Sequence, residues 1–228
     1  IQAVARGLPL VIVGQYFEHS PSGIMVPEDS DIRGFPDLDG VTFMGNLSVP
    51  YIPWVKQHYG IDFRVLPHNW DTAQFVAGEV DAQQCYVTSE PYYLAQRGFP
   101  VRSFLIAESG YDPARIYYTS REYLEANRDR VAALIRASRE GWFRYFDEDP
   151  AIVHARIMEQ NPSMTEPFME WTRGVLLERG IVFDQLERDD WGRIDRDRLV
   201  EIQDILVDLE IIDEALPLDL FVDDVVFE

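Results

Sequence analysis

Between Gly40 and Ala107 the chain repeats one short pattern, and that repeat limits its possible folds more than any other feature. An apolar run of strand length at 41–44 is followed by the polar corner Gly45-Asn46-Leu47-Ser48, then a helical stretch at 49–59 ended by Gly60. A second run at 63–66 leads to Pro67-His68-Asn69-Trp70-Asp71 and a helix ending at Ala77. A third at 80–87 leads to Thr88-Ser89-Glu90 and a helix ending at Arg97, and a fourth run at 101–107 closes the series. Strands separated by single helices predict an α/β fold with a parallel, helix-flanked sheet. Crossovers in such a sheet share one hand, so the loops that follow its strands open on the same edge. Asn46 and Ser48, Trp70, and Thr88, Ser89 and Glu90 are therefore expected to converge.

The third junction carries the densest chemistry. Gly78 can close the preceding helix in the left-handed conformation. Thr88 and Ser89 offer hydroxyls for an N-cap, Glu90 puts a carboxylate in the first turn, and Pro91 falls where a missing N–H costs least. Tyr86 adds a ring at the same point. In open α/β sheets small ligands bind at such strand-to-helix junctions. The competing reading is a well-capped helix with no ligand. Trp70 likewise reads either as a flat surface for stacking or as a core residue.

The flanks are plainer. Residues 1–14 read as the tail of a helix, a turn at Arg6-Gly7 and a strand at 8–13, with Gln15 and Tyr16 in a polar, aromatic segment after it. This start, halfway through a βα unit, leads us to expect further sequence upstream. Residues 24–26 read as a short strand, and 27–40 as a connection rich in Asp, Pro and Gly. Tyr111 lies in a second connector at 108–113. A strand at 116–119 leads to Ser120 as a helix cap, with a long helix at 127–145 whose Val131, Leu134, Ile135, Ser138, Trp142 and Tyr145 form a core-facing stripe. Helices follow at 150–160, at 165–179 and after Asp195. The acidic, aromatic tail 217–228 reads as a docked segment, and the pairs Asp189-Asp190 and Asp223-Asp224 as solvated faces.

Composition excludes several functions. The 228-residue chain carries a formal charge of −20, which repels nucleic acid and anionic lipid. Cys85 is the only cysteine, which removes internal disulfides and cysteine-based metal sites; amid apolar neighbours it reads as a small core residue. The four histidines show no zinc-binding spacing. No metal or cofactor is expected, and no apolar run is long enough to span a bilayer.

Asp39-Gly40-Val41 with Gly45, then Gly78-Glu79-Val80-Asp81-Ala82 with Tyr86 and Ser89-Glu90-Pro91, resembles the NMT1/THI5-like solute-binding proteins of ABC importers. Tyr118-Thr119-Ser120, Asn127, Val131, Ala137 and Gly141-Trp142 match the stretch after that family's second lobe. The resemblance implies a periplasmic-binding-protein type II-like α/β fold, with two lobes of parallel-rich sheet closing on a ligand. Lobe 2 would span 39–108, and 1–38 with 109–228 would form an incomplete lobe 1. It also implies an exported, periplasmic or membrane-associated monomer that captures a small-molecule ligand without catalysis and delivers it to an ABC permease. The expected ligand contacts are Gln15, Tyr16, Asn46, Ser48, Trp70, Tyr86, Thr88, Ser89, Glu90 and Tyr111. Tyr86, Trp70 and Glu90 favour a pyrimidine-like, nitrogen-containing ring; a sulfonate or nitrate receptor would more often offer Arg or Lys, and these loops have neither. The family's pyrimidine synthases, with a cysteine-rich stretch and a lysine-bound pyridoxal phosphate, fit poorly a chain whose only lysine is Lys56, in mid-helix. A sensor that feeds a signalling partner is the remaining alternative.

Overall fold

The computed structural model describes residues 1–182 and 190–227; Asp189 lies outside them. A single helical turn, α1 (Gln2–Ala5), precedes strands β1 (Leu10–Phe17) and β2 (Ser22–Pro27). Next come β3 (Thr42–Gly45), α2 (Tyr51–Tyr59), β4 (Arg64–Pro67), α3 (Ala73–Val76), β5 (Ala82–Tyr86), α4 (Glu90–Gln96) and β6 (Val101–Leu105). Strand β7 (Arg115–Ser120) and helices α5 (Arg121–Asp147), α6 (Ala151–Gln160), α7 (Glu166–Glu178) and α8 (Arg196–Asp208) complete the order. Among the described residues no helix is long and apolar enough to cross a membrane. The chain divides into two compact units, residues 1–19 with 113–228, and residues 20–112.

The unit of residues 20–112 holds a five-stranded sheet in the order β4-β3-β5-β2-β6. β3 runs parallel to β4 and β5, whereas β2 is antiparallel to both of its neighbours, β5 and β6. The four strands expected to be parallel therefore share a direction, with one reversed strand among them. That strand corrects the expected boundary at residue 39, because hydrogen bonds on both of its edges place β2 within this sheet. Phe35 and Leu38 are buried here too, Phe35 edge-on to Phe104 at 5.8 Å. Four consecutive residues of β2 are buried, the run of a strand covered on both faces. Gly60 ends α2 at φ 64°, a left-handed conformation that glycine enters without steric cost.

In the other unit β1 and β7 pair antiparallel, with register shifts between Ile12 and Gly14 and between Gln15 and Phe17. The strand expected to end at Val13 thus continues to Phe17, because Gly14 and Gln15 go on pairing with Tyr117 and Ile116. Helix α5 begins at Arg121, directly after its expected cap Ser120, and joins the expected long helix to the turn before it. The Ser120 hydroxyl accepts Tyr123 N–H at 3.1 Å, and the non-helical Asn127 marks a kink. Val11 and Val13 pack with Leu124, Val131 and Ile135 in one core cluster. The tail is docked: Ile12 N–H donates to Phe221 O (2.8 Å), and Asp223 N–H donates to Ile12 O (2.9 Å). Asp223 is therefore no solvated face. Arg128 donates to both of its carboxylate oxygens at 2.9 Å, and Asp224 accepts Ile194 N–H at 3.1 Å.

Gly23 of β2 has no room for a side chain. A Cβ there would come within 2.5 Å of Val87 Cγ1 and 2.6 Å of Phe104 O. Gly23→Ala should destabilise the chain by about 2 kcal/mol through overpacking, read as a lower urea midpoint; an unchanged midpoint would contradict this packing.

Candidate functional site

Because β3, β4 and β5 point the same way, the loops leaving their C-terminal ends share one rim. The register sets Gly45 beside Pro67 and Met44 beside Gln83. Gln84 of β5 joins two of these loops. Its Oε1 accepts Asn46 N–H at 2.9 Å and the Tyr51 hydroxyl at 3.0 Å, and its main-chain oxygen meets His68 Nε2 at 3.1 Å. His68 N–H donates to Gly45 O at 3.0 Å. The neighbouring Gln83 donates from Nε2 to Asp71 O at 2.9 Å. Burial, with a smaller contribution from nearby Cys85, lifts the Tyr51 phenol above the ordinary phenol range, so the group stays a neutral donor.

The expected residues along this rim differ in what they have left to offer. Asn46 Oδ1 accepts both the N–H (3.0 Å) and the hydroxyl (2.7 Å) of Ser48, so the two side chains first stabilise their own turn. At the third junction Ser89 makes no side-chain cap, contrary to the expected hydroxyl N-cap. The Glu90 carboxylate reaches back instead and accepts Tyr86 N–H at 2.8 Å. Thr88 is half-buried, and the Tyr86 ring is exposed.

Trp70 is no core residue: it is 77% exposed. Its backbone sits at φ 62°, a conformation rare for a bulky side chain. Its N–H donates to His68 Nδ1 at 2.9 Å, and its indole lies 4.7 Å from the His68 ring. Residues 45–50, 67–72 and 86–91 contain no arginine or lysine, and Asp71 and Glu90 are their charged residues.

The remaining candidates lie elsewhere. Gln15, expected on a loop, sits inside β1, 4% exposed, and its Nε2 donates to Glu18 at 3.5 Å. Glu18 is in turn paired with Arg198. Tyr16 packs its ring against Phe17 at 4.9 Å and Tyr117 at 5.0 Å. Tyr111 is 6% exposed, with its backbone N–H donating to Ser109 Oγ. Trp142 and Tyr145, expected in the core, are half-buried and line a cavity of about 450 Å³ among α5, α6 and α7, together with Ile157, Met164 and Phe168. Lys56 of α2 is paired with Asp62 at 2.7 Å. Among the described residues no group of three or more His, Cys, Asp or Glu could hold a metal ion. Sequence reasoning missed His68, Gln83 and Gln84 as the groups that fix the rim. The signal for the glutamines was two adjacent amides inside an otherwise apolar strand.

Residues 1–151 match the family described as NMT1/THI5 like. No curated protein sequence matches the chain. The alkanesulfonate-binding protein SsuA from Xanthomonas axonopodis pv. citri, solved bound to MOPS, is similar at TM-score 0.68 and 18% identity, over 97% of this chain and 76% of that one. The periplasmic aliphatic sulphonate binding protein SsuA from Escherichia coli gives TM-score 0.61 and 18% identity, over 96% and 70%. A desulfurization enzyme, DszB, in complex with biphenyl-2-sulfinic acid, is similar at TM-score 0.54 and 16% identity, over 92% and 76%. At these identities the likeness is one of fold.

Burial pushes the Tyr111 phenol from 10.0 up to about 12. The folded chain holds this proton more tightly than the unfolded chain. Its contribution to stability is therefore complete below pH 10.0 and lost as pH rises toward about 12. Tyr111→Phe should flatten the fall in stability across that window, measured by denaturant unfolding at stepped pH; an unaltered slope would count against a buried phenol.

Proposed function

We propose, from the premise that this chain belongs to the NMT1/THI5-like family, that it is the solute-capturing component of an ABC-type importer. It acts on the outer side of the membrane, holds a small organic molecule reversibly without altering it, and hands it to a membrane permease. The ligand is a flat, nitrogen-containing ring of the pyrimidine class, taken up at the rim where β3, β4 and β5 end.

The observation that carries this reading is Trp70, exposed at the rim in a conformation that costs energy to hold. An indole offered to solvent gives a planar ligand a large contact area with few rotamers to immobilise. On the loops of the same rim, Glu90 and Asp71 suit ring or amino N–H donors, and Asn46 and Tyr86 add hydrogen-bonding groups. A second reading, a sulfonate receptor, is favoured by the sulfonate-binding proteins that share the fold. Against it stands the absence of arginine and lysine from the three rim loops, since a sulfonate is best met by a fixed cation.

Calorimetric titration and thermal unfolding with aminopyrimidines and with alkanesulfonates separate the two. Pyrimidines should raise the unfolding midpoint, with about 2.7 kcal/mol of stabilisation at a hundred-fold excess over Kd. Trp70→Ala should weaken their binding by about tenfold or more. Stabilisation by sulfonates alone, unaffected by Trp70→Ala, would overturn the pyrimidine reading.

A further inference from the structure

We infer that His68 is a positioning residue: as a neutral imidazole it holds Trp70 in its ligand-facing orientation, and its protonation releases that residue. The inference rests on Trp70 being the stacking surface proposed above. The main-chain oxygen of Gln84 can only accept, so His68 Nε2, 3.1 Å away, must carry the ring proton. Nδ1 is then left with its lone pair, which accepts Trp70 N–H at 2.9 Å. An imidazolium carries hydrogen on both nitrogens, and the second would face the Trp70 N–H directly. One protonation event thus turns an attraction into a clash of donors.

What is lost with that bond is the conformation of one residue. A tryptophan at φ 62° persists only while its surroundings hold it. On either side the loop is secured independently. His68 N–H is bonded to Gly45 O (3.0 Å), Asp71 O accepts from Gln83 Nε2 (2.9 Å), and Asp71 N–H donates to Asn69 Oδ1 (3.0 Å). With its neighbours tied down, Trp70 is the residue that relaxes, and its indole leaves the His68 ring.

The titratable groups on the elements that meet this loop are Asp71 within it, Glu79 linked to Asn69 through Gln74, Tyr51 on α2 linked through Gln84, Asp81, Cys85 and Tyr86 on and beside β5, and Glu90 on α4; Lys56, His58 and Tyr59 lie in the later turns of α2. Asp71 Oδ1 is bonded to Ala73 N–H (2.7 Å), Glu90 Oε2 to Tyr86 N–H (2.8 Å), and Tyr51 ionises only above its usual range. Imidazole is the side chain suited to change charge between pH 5 and 8.

The test begins without ligand, on the full chain labelled with 15N. From about pH 8 to about pH 5 the Trp70 backbone amide should shift in step with the His68 ring signals. In His68→Asn, whose Oδ1 takes the place of Nδ1 and does not titrate, the Trp70 amide should hold still. A Trp70 amide that ignores pH in the unmodified chain, or moves equally in His68→Asn, overturns the inference, and the first of these outcomes needs no variant to fold. Calorimetry with an aminopyrimidine forms the second arm. Affinity should fall about tenfold or more over the same pH range in the unmodified chain and stay level in His68→Asn. Absence of aminopyrimidine binding at about pH 8 defeats the ligand reading, whereas binding that needs Trp70 but ignores pH defeats only the role given to His68.

Discussion

A strand that ends at the rim of a buried sheet leaves backbone groups that need partners, and here β5 supplies many of them. Gln84 lies 38 residues from Asn46 and 16 from His68, yet one of its oxygens accepts from Asn46 and the other from His68. Gln83 holds the far side of the second loop through Asp71. An unsatisfied buried donor or acceptor costs more than a made hydrogen bond returns, so these contacts fix the loops against alternatives that would leave amides bare. The first two corners of the rim, the Asn46 turn and the loop that carries His68 and Trp70, are thus tied to two adjacent glutamines in one strand.

Much of this was legible from the chain alone. The βα repeat is read from apolar runs and from Gly60, whose φ of 64° is the conformation its place after a helical stretch suggests. Ser120 and Asp195 accept the N–H groups that helix caps should accept, from Tyr123 and Arg198. Shared strand direction was enough to bring three distant corners to one edge. The direction of β2 was not legible, because a short apolar run carries no mark of orientation and its partners lie some sixty to eighty positions downstream.

The site was legible in outline and not in detail. Gln15 was misread because polar residues after Val13 suggest a loop, whereas the strand continues through two register shifts and buries the amide. Asp223 was misread because an acidic pair looks solvated until a guanidinium 95 residues away is brought to it by the fold. Trp70 had two readings that local sequence could not separate, since nothing in the residue type marks a tryptophan as exposed or as left-handed in its backbone. Glu90 ties its junction to the end of β5 through Tyr86 N–H, whereas the hydroxyls beside it looked suited to cap the helix and make no such bond.

The reversed strand β2 also governs how the polypeptide can be divided. A fragment cut at Asp39 would contain every βα repeat and yet lose the ribbon that separates β5 from β6. Both would then present bare amide edges, an invitation to intermolecular pairing and aggregation. The smallest piece with a chance of standing alone therefore has to begin before Ser22, ahead of a strand that lies outside the βα repeat.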